Sequence, residues 1–327
     1  MQSDCKSPVA LILFNRPEVT ERVFAAIRAA RPPRLFLIAD GPRPNVPSDT
    51  ARCAAAREVV EKVDWSCQVW RKFAESNLGL RRNVSEGLDW VFAETEEAIV
   101  LEDDCLPDPS FFPFCDELLE RYHDDANVGM ICGTNLAPRE IAADDGASYY
   151  FSRYCYIWGW ATWRRAWQCY DREMKEWPSL GKNGWLKEKV ATSTAINFWR
   201  RHFDDGYEQH PDGLNTWDIQ LVFAFWRHQM RSIVPRENLV RNLGIGADAT
   251  HTKQPRRRAE QSNGFLKFPL QHPARQAAYE KADRHMQAKV FEALTPWQRI
   301  YWKLQLPFPI WTVRRTRRWL GNALGAK

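Results

Sequence analysis

Residues 98–104 read Ala98-Ile99-Val100-Leu101-Glu102-Asp103-Asp104, four apolar residues running straight into three carboxylates. An apolar run of that length, bounded by charge, has the pattern of a strand buried on both faces. Adjacent carboxylates at its end repel one another unless a cation or hydrogen-bond donors accompany them. In open α/β sheets the carboxyl ends of the strands are where ligands bind. If the segment stays extended, Glu102 and Asp104 point one way and Asp103 the other. One carboxylate is then free to hold a hard divalent ion, Mn²⁺ or Mg²⁺, which completes its shell with phosphate oxygens and water, while its neighbour accepts from a hydroxyl. A solvated acid cluster capping the next helix, shared with Asp108, is the plainer alternative.

The surrounding sequence repeats the same grammar. Val9 to Phe14 is a second buried-strand run, followed by Pro17 and apolar residues at helical spacing (Val19, Val23, Ile27, Ala30), then Arg31-Pro32-Pro33 as a stop. Leu35–Ile38 is a strand closed by Asp40-Gly41-Pro42. Residues 50–63 read as helix, 67–73 as strand, 80–94 as helix, 111–122 as helix and 128–132 as strand. Strands alternating with helices at this spacing are βαβ units, so the expected fold class is α/β, a mainly parallel sheet with helices on both faces. Asp40 falls on the same sheet edge as the acidic triplet, placed to accept from a nucleobase or sugar; an ordinary Asp-Gly-Pro turn accounts for it equally well.

Composition narrows the classes. The chain has 327 residues, 44% apolar and 27% charged, which excludes a disordered or fibrous protein. No apolar run approaches the ~20 residues of a membrane span, and the N-terminus lacks the pattern of a secretory signal. The eight cysteines include no Cys-x-x-Cys pair, which excludes zinc ribbons and redox motifs and fits reduced thiols. The expected location is therefore cytoplasmic. Net charge +5 conceals an asymmetry: residues 253–327 carry 16 Lys/Arg against 4 Asp/Glu, whereas 1–252 carry 30 against 37. A basic, Trp-rich C-terminal extension points to an anionic surface. Its interleaved Pro and bulky aliphatics suit a peripheral membrane anchor rather than nucleic acid, with a helix packed on the core as the alternative.

The first 135 residues resemble a GT-A nucleotide-sugar glycosyltransferase, in particular the Golgi N-acetylglucosaminyltransferase class that acts on the alpha-1,3-mannosyl arm, and its bacterial relatives. The matching pieces are Leu13-Phe14-Asn15-Arg16-Pro17, Ile38-Ala39-Asp40-Gly41, Asn77-Leu78-Gly79-Leu80-Arg81-Arg82-Asn83, and Val100-Leu101-Glu102-Asp103-Asp104 with Pro107-Asp108-Pro109-Ser110-Phe111-Phe112. The resemblance implies a GT-A fold with residues 1–135 as the donor half and 136–252 as the acceptor and catalytic half; residues 253–327, set apart by their charge, are expected to form a helical basic tail. It implies Asp104 as metal ligand, Asp103 as ribose contact with Glu102 beside it, Asp40 at the nucleobase and Arg16 near the donor. It implies that Arg81 or Arg82 faces the diphosphate or sugar, a plain surface arginine being the alternative for one of them.

Farther along, Thr216-Trp217-Asp218 opens an apolar-rich helix. Asp218 is either a first-turn acid favoured by the helix dipole or the general base for an acceptor hydroxyl; the Trp-Asp segment resembles one in the Golgi class, and base action there implies inversion. The run 242–252 contains Gly244-x-Gly246 without a following helix, so it is no dinucleotide fingerprint; it resembles the C-terminal loop of GT-A enzymes, with His251 as a candidate for metal or diphosphate and Asp248 as a lesser one. Trp160, Trp163 and Trp167 share one face if helical, predicting a packed helix. The alternative is an acceptor groove lined by Trp158, Trp160 and Trp217. The expected reaction is metal-dependent inverting transfer from a nucleotide-diphosphate sugar to a saccharide or lipid-linked acceptor. A retaining enzyme and a non-catalytic saccharide-binding protein are the alternatives. A nucleotidyltransferase fits less well, because Asn15-Arg16-Pro17 replaces the Gly-rich loop after the first strand.

Overall fold

The first 132 residues form the alternating strands and helices that the apolar pattern predicts. In a computed structural model describing residues 4–138, 141, 146–208, 216–244 and 264–291, β1 (Val9–Leu13), β2 (Arg34–Ala39), β3 (Gln68–Phe73), β4 (Glu97–Glu102) and β6 (Val128–Cys132) enclose α1 (Pro17–Ala30), α2 (Pro47–Val60), α3 (Leu80–Glu94) and α4 (Phe111–Arg121). A short β5 (Cys105–Pro107) follows the acidic triplet. Pro17 and Pro47 open their helices at the first turn, where a missing N–H costs nothing.

The main sheet has the order β3-β2-β1-β4-β8-β6-β9-β7, with β7 (Tyr149–Ser152), β8 (Trp160–Trp163) and β9 (Arg231–Pro235) supplied by the middle of the chain. β1 pairs in parallel with β2 and β4, and β2 with β3. β8 runs antiparallel between β4 and β6, and β7 antiparallel beside β9. The fold is thus α/β, a mixed and mainly parallel sheet flanked by helices. Alternate strand residues feed two cores: Ala10, Ile12, Phe36 and Val100 join α3, α8 (Ser193–Glu208) and α9 (Asp218–Arg227) on one face, while Val9, Leu11, Leu35 and Ile99 join α1, α2 and α4 on the other. Each buried Val, Leu, Ile or Phe among them contributes about 1.5–3 kcal/mol before entropy, so slipping a strand by one residue would invert both cores.

The tryptophan spacing at 160–167 is misleading. Trp160–Trp163 is the strand β8, and only Arg164–Trp167 makes a helical turn, α5. The slot between β4 and β6 offers hydrogen-bonding partners on both edges, and that outweighs a helical side-chain pattern. Trp160 and Trp163 therefore enter opposite cores.

Helices α6 (Trp177–Lys182) and α7 (Leu186–Lys189) lead into α8. After β10 (Val240–Asn242), which pairs antiparallel with β5, residues 264–291 return to the body. There Tyr279 N donates to Phe151 O, and α10 (Glu280–Met286) docks on β7. Residues 253–263 and 292–327, most of the expected tail, lie outside the described residues, and no helix among the described residues is long and apolar enough to cross a membrane.

Candidate functional site

Strand order creates the site. The β1–α1–β2 connection steps to one side of β1 and the β3–α3–β4 connection to the other, so the carboxyl ends of β1 and β4 flank a topological switch point, the usual ligand crevice of such sheets. Arg16 leaves β1 there and the acidic triplet leaves β4. Arg16 Nη2 meets Asp103 Oδ1 at 2.8 Å and Arg16 Nη1 meets Asp104 Oδ2 at 2.9 Å. Phe14 N donates to Asp103 Oδ2 at 3.0 Å. Burial pushes Asp103 up to about 6 against the pull of Arg16. Burial opposes the charge on Arg16, but Asp103 and Asp104 outweigh it and hold the guanidinium above its ordinary value.

Glu102 differs from its neighbours. Its carboxylate has no hydrogen-bond or ion-pair partner among the described residues. Burial first, then Asp104, Asp103 and Asp218, raise its pKa well above the usual carboxylate range. Asp218, in the first turn of α9, is thus near enough to Glu102 to be felt electrostatically. Asp218 Oδ1 accepts from Thr216 Oγ1 and from Ile219 N at 3.1 Å, and Oδ2 has no partner among the described residues.

The strand β10 delivers the chain onto this ion pair. Leu243 N donates to Asp104 O at 2.7 Å. A Cβ on Gly244 would stand 2.1 Å from Asp104 Oδ2, so only glycine lets the backbone pass so close. In sequence the run 242–252 is placed near the donor only by its resemblance to a GT-A C-terminal loop, and neither Leu243 nor Gly244 stands out in it. His251 and Asp248 lie outside the described residues.

Asp40 reaches the sheet edge but has another task. Its Oδ1 accepts from Gly41 N at 2.8 Å and Leu78 N at 2.7 Å, and its Oδ2 from Asn77 Nδ2 at 2.9 Å and Gly79 N at 3.1 Å. Four donors meet the acceptor sites of this carboxylate, so in this structure Asp40 pins the loop before α3. Gly79, with φ +79, lets that loop turn into the helix. Burial raises the Asp40 pKa against these bonds. Arg82 is the surface arginine of the pair, joined to Glu86 one turn on at 2.7 Å. Arg81 instead donates to Arg172 O and, with the Gln220 amide in its satisfied orientation, to Gln220 at 3.1 Å. The same amide donates to Thr216 O and Trp217 O, at the start of α9. Arg81 therefore stands at the Asp218 end, tied to the protein rather than open to a diphosphate.

The aromatic expectation also divides. Trp160 and Trp217 are each 1% exposed and stack on one another with centroids 5.7 Å apart. Neither ring has a face open to a sugar, because the antiparallel position of β8 and the α9 start press them together as core. Trp158 is half-buried, at the turn before β8.

The residues suit a sparse cation site rather than a cage. Among the described residues no three of His, Cys, Asp or Glu converge on a metal position. Asp104 offers hard oxygen, and among the described residues its Oδ1 accepts only from the Cys105 thiol at 3.5 Å. One carboxylate with substrate phosphates is a donor set that Mg²⁺ and Mn²⁺ accept, provided Arg16 yields its share of Asp104.

No protein-family model matches the chain, and no curated protein matches it. Among solved structures, a UDP-glucose pyrophosphorylase complexed with UDP-glucose aligns with TM-score 0.33 and 11% identity over 70% of this chain and 90% of its own. Mouse xyloside xylosyltransferase 1 aligns with TM-score 0.34 and 10% identity over 68% and 83%. An inositol-1-phosphate CTP transferase from T. maritima aligns with TM-score 0.33 and 11% identity over 71% and 86%.

Proposed function

We propose that this protein is an inverting glycosyltransferase that moves a sugar from a nucleotide-diphosphate donor to a hydroxyl of a saccharide or lipid-linked acceptor. The observation that carries the reading is the meeting of Arg16, Asp103 and Asp104 at the β1/β4 switch point, within electrostatic reach of Asp218 through Glu102. Arg16 supplies positive charge for the diphosphate, and Asp103 accepts from the ribose. A divalent ion held by Asp104, Mn²⁺ or Mg²⁺, offsets charge on the departing nucleotide when bound. Asp218 takes the acceptor proton as the acceptor oxygen bonds to the anomeric carbon. The bond from that carbon to the diphosphate breaks on the opposite side, its electron pair leaving with the diphosphate, so the anomer inverts. Trp158 is the remaining aromatic candidate for the acceptor. The basic tail places the enzyme at the cytoplasmic surface of an anionic membrane, consistent with a surface-polysaccharide acceptor.

The deciding experiment is thermal stabilisation by UDP, GDP and CMP nucleotides with and without Mn²⁺, on wild type and Asp104→Ala. A metal-dependent shift with one nucleotide, lost in the variant, supports the reading; no shift with any of them overturns it. A saccharide-binding protein without turnover is the second reading, favoured by Arg16 already spanning Asp103 and Asp104. Saccharide binding without nucleotide binding selects it.

A further inference from the structure

The segment that returns after the donor site carries a surface which that site does not use. Residues 261–279 contain no Asp or Glu, and Lys267 and Arg275 both lie exposed there. Leu266 and Leu270 are buried in the core beside α4, whereas Phe265 is 71% exposed and Phe268 41%. With Tyr207, these two are the exposed large hydrophobics among the described residues. The backbone beneath the rings is anchored: Gly264 N donates to Asn238 O at 2.8 Å, Leu266 N to Ser110 Oγ at 3.5 Å, and Ser148 N to Gln271 O at 2.7 Å. Two exposed phenyl rings with a lysine between them thus sit on a segment anchored from beneath by the buried Leu266 and Leu270.

We propose that Phe265, Lys267 and Phe268 form a docking edge that inserts its two rings into the headgroup–acyl boundary of an anionic bilayer. Isolated aromatic anchors flanked by cations are what an interfacial contact requires. A stable protein partner would need ~800 Å² of surface per side, which two rings separated by a charge do not supply. Charge argues the same way, since the sequence from residue 253 onward carries 16 Lys/Arg against 4 Asp/Glu, with Arg256-Arg257-Arg258 shortly before Phe265. The edge belongs to the folded body, so it would fix the orientation of the protein on the membrane in a way that a tail alone does not. The inference does not depend on the chemistry of the donor site.

The test is co-sedimentation of the full-length protein with extruded vesicles of phosphatidylcholine alone or mixed with phosphatidylserine. Wild type should partition onto the anionic vesicles, and Phe265→Ser/Phe268→Ser should bind about tenfold more weakly with its Tm unchanged. Phe265→Ser alone, the more exposed position, should lose about threefold. Because ring insertion is not screened by salt, the ratio of wild type to variant should persist at high ionic strength while both affinities fall. Equal binding by wild type and the double variant would assign all membrane affinity to the tail and overturn the proposal, as would absence of binding by wild type. A wild-type dimer that the double substitution disperses in sedimentation velocity, with vesicle binding unchanged, would overturn it in favour of self-association.

Discussion

A methyl group on residue 244 would stand 2.1 Å from Asp104 Oδ2 and 2.7 Å from Arg16 Nη1. Gly244→Ala must therefore displace either the ion pair or the backbone that follows β10. The expected outcome is a loss of about 1–3 kcal/mol in urea unfolding, together with loss of whatever nucleotide-induced thermal shift wild type displays. Asp218 makes a different prediction, because it lies outside the Arg16–Asp103–Asp104 cluster. Asp218→Asn should keep the nucleotide shift and lower kcat by about 10²–10⁴, measured with the nucleotide sugar that binds. An unchanged kcat would remove Asp218 from proton transfer and turn attention to Glu102, the neighbouring carboxylate whose pKa burial and three acids drive upward.

Element by element, the Arg16 loop depends on α2. Asp49, buried in the first turn of α2, accepts from Asn15 Nδ2 at 2.7 Å and from Arg43 Nε at 2.5 Å. The Arg43 hydrogen bond, chiefly, lowers Asp49 to about 2. A depressed carboxyl pKa means that the unfolded chain binds the proton more readily, so Asp49 contributes stability that is complete above pH ~4 and is lost as pH falls toward ~2. Asp49→Asn should cost about 1–3 kcal/mol at pH 7 and should lose less further stability than wild type between pH 4 and 2, as read by urea midpoints. A parallel pH dependence in wild type and variant would contradict this assignment.

Across the whole molecule, the C-terminal part is latched to the sheet through one buried acid. Asp283 on α10 accepts from Ser152 Oγ at 2.6 Å, Arg153 N at 3.2 Å and Arg153 Nε at 3.1 Å. Gln287 adds bonds from Tyr154 Oη at 2.6 Å and Trp199 Nε1 at 2.9 Å, joining β7, α8 and the turn after α10. Asp283→Ala leaves the partly buried Arg153 without its main partner and is expected to cost about 3 kcal/mol. Limited proteolysis should then release the region after residue 264 before the main body is cut. A variant cut at the wild-type rate would show that α10 is held by its apolar contacts alone.

The strands and helices before residue 133 were legible because their order follows from apolar runs and proline stops, both local signals. The acidic triplet was legible as a site for a related reason: three carboxylates after a buried strand are a local electrostatic conflict. What local sequence could not hold was the partner of each group. Asp40 reads in sequence as a sheet-edge acid, and only the fold brings it four donors from Gly41 and the loop before α3. Trp160 and Trp163 look like one helix face until β8 is drawn between β4 and β6. Gly244 looks like loop until β10 pairs with β5 and brings it against Asp104. The sequence by itself determined the α/β class and where charge would gather, since periodicity and like-charge repulsion act over a few residues. Only the tertiary structure decided which charges Arg16 bridges and which aromatic rings remain open, because those depend on pairing between segments far apart in the chain, such as Val9 with Ile99 in β1–β4 and Glu97 with Trp163 in β4–β8.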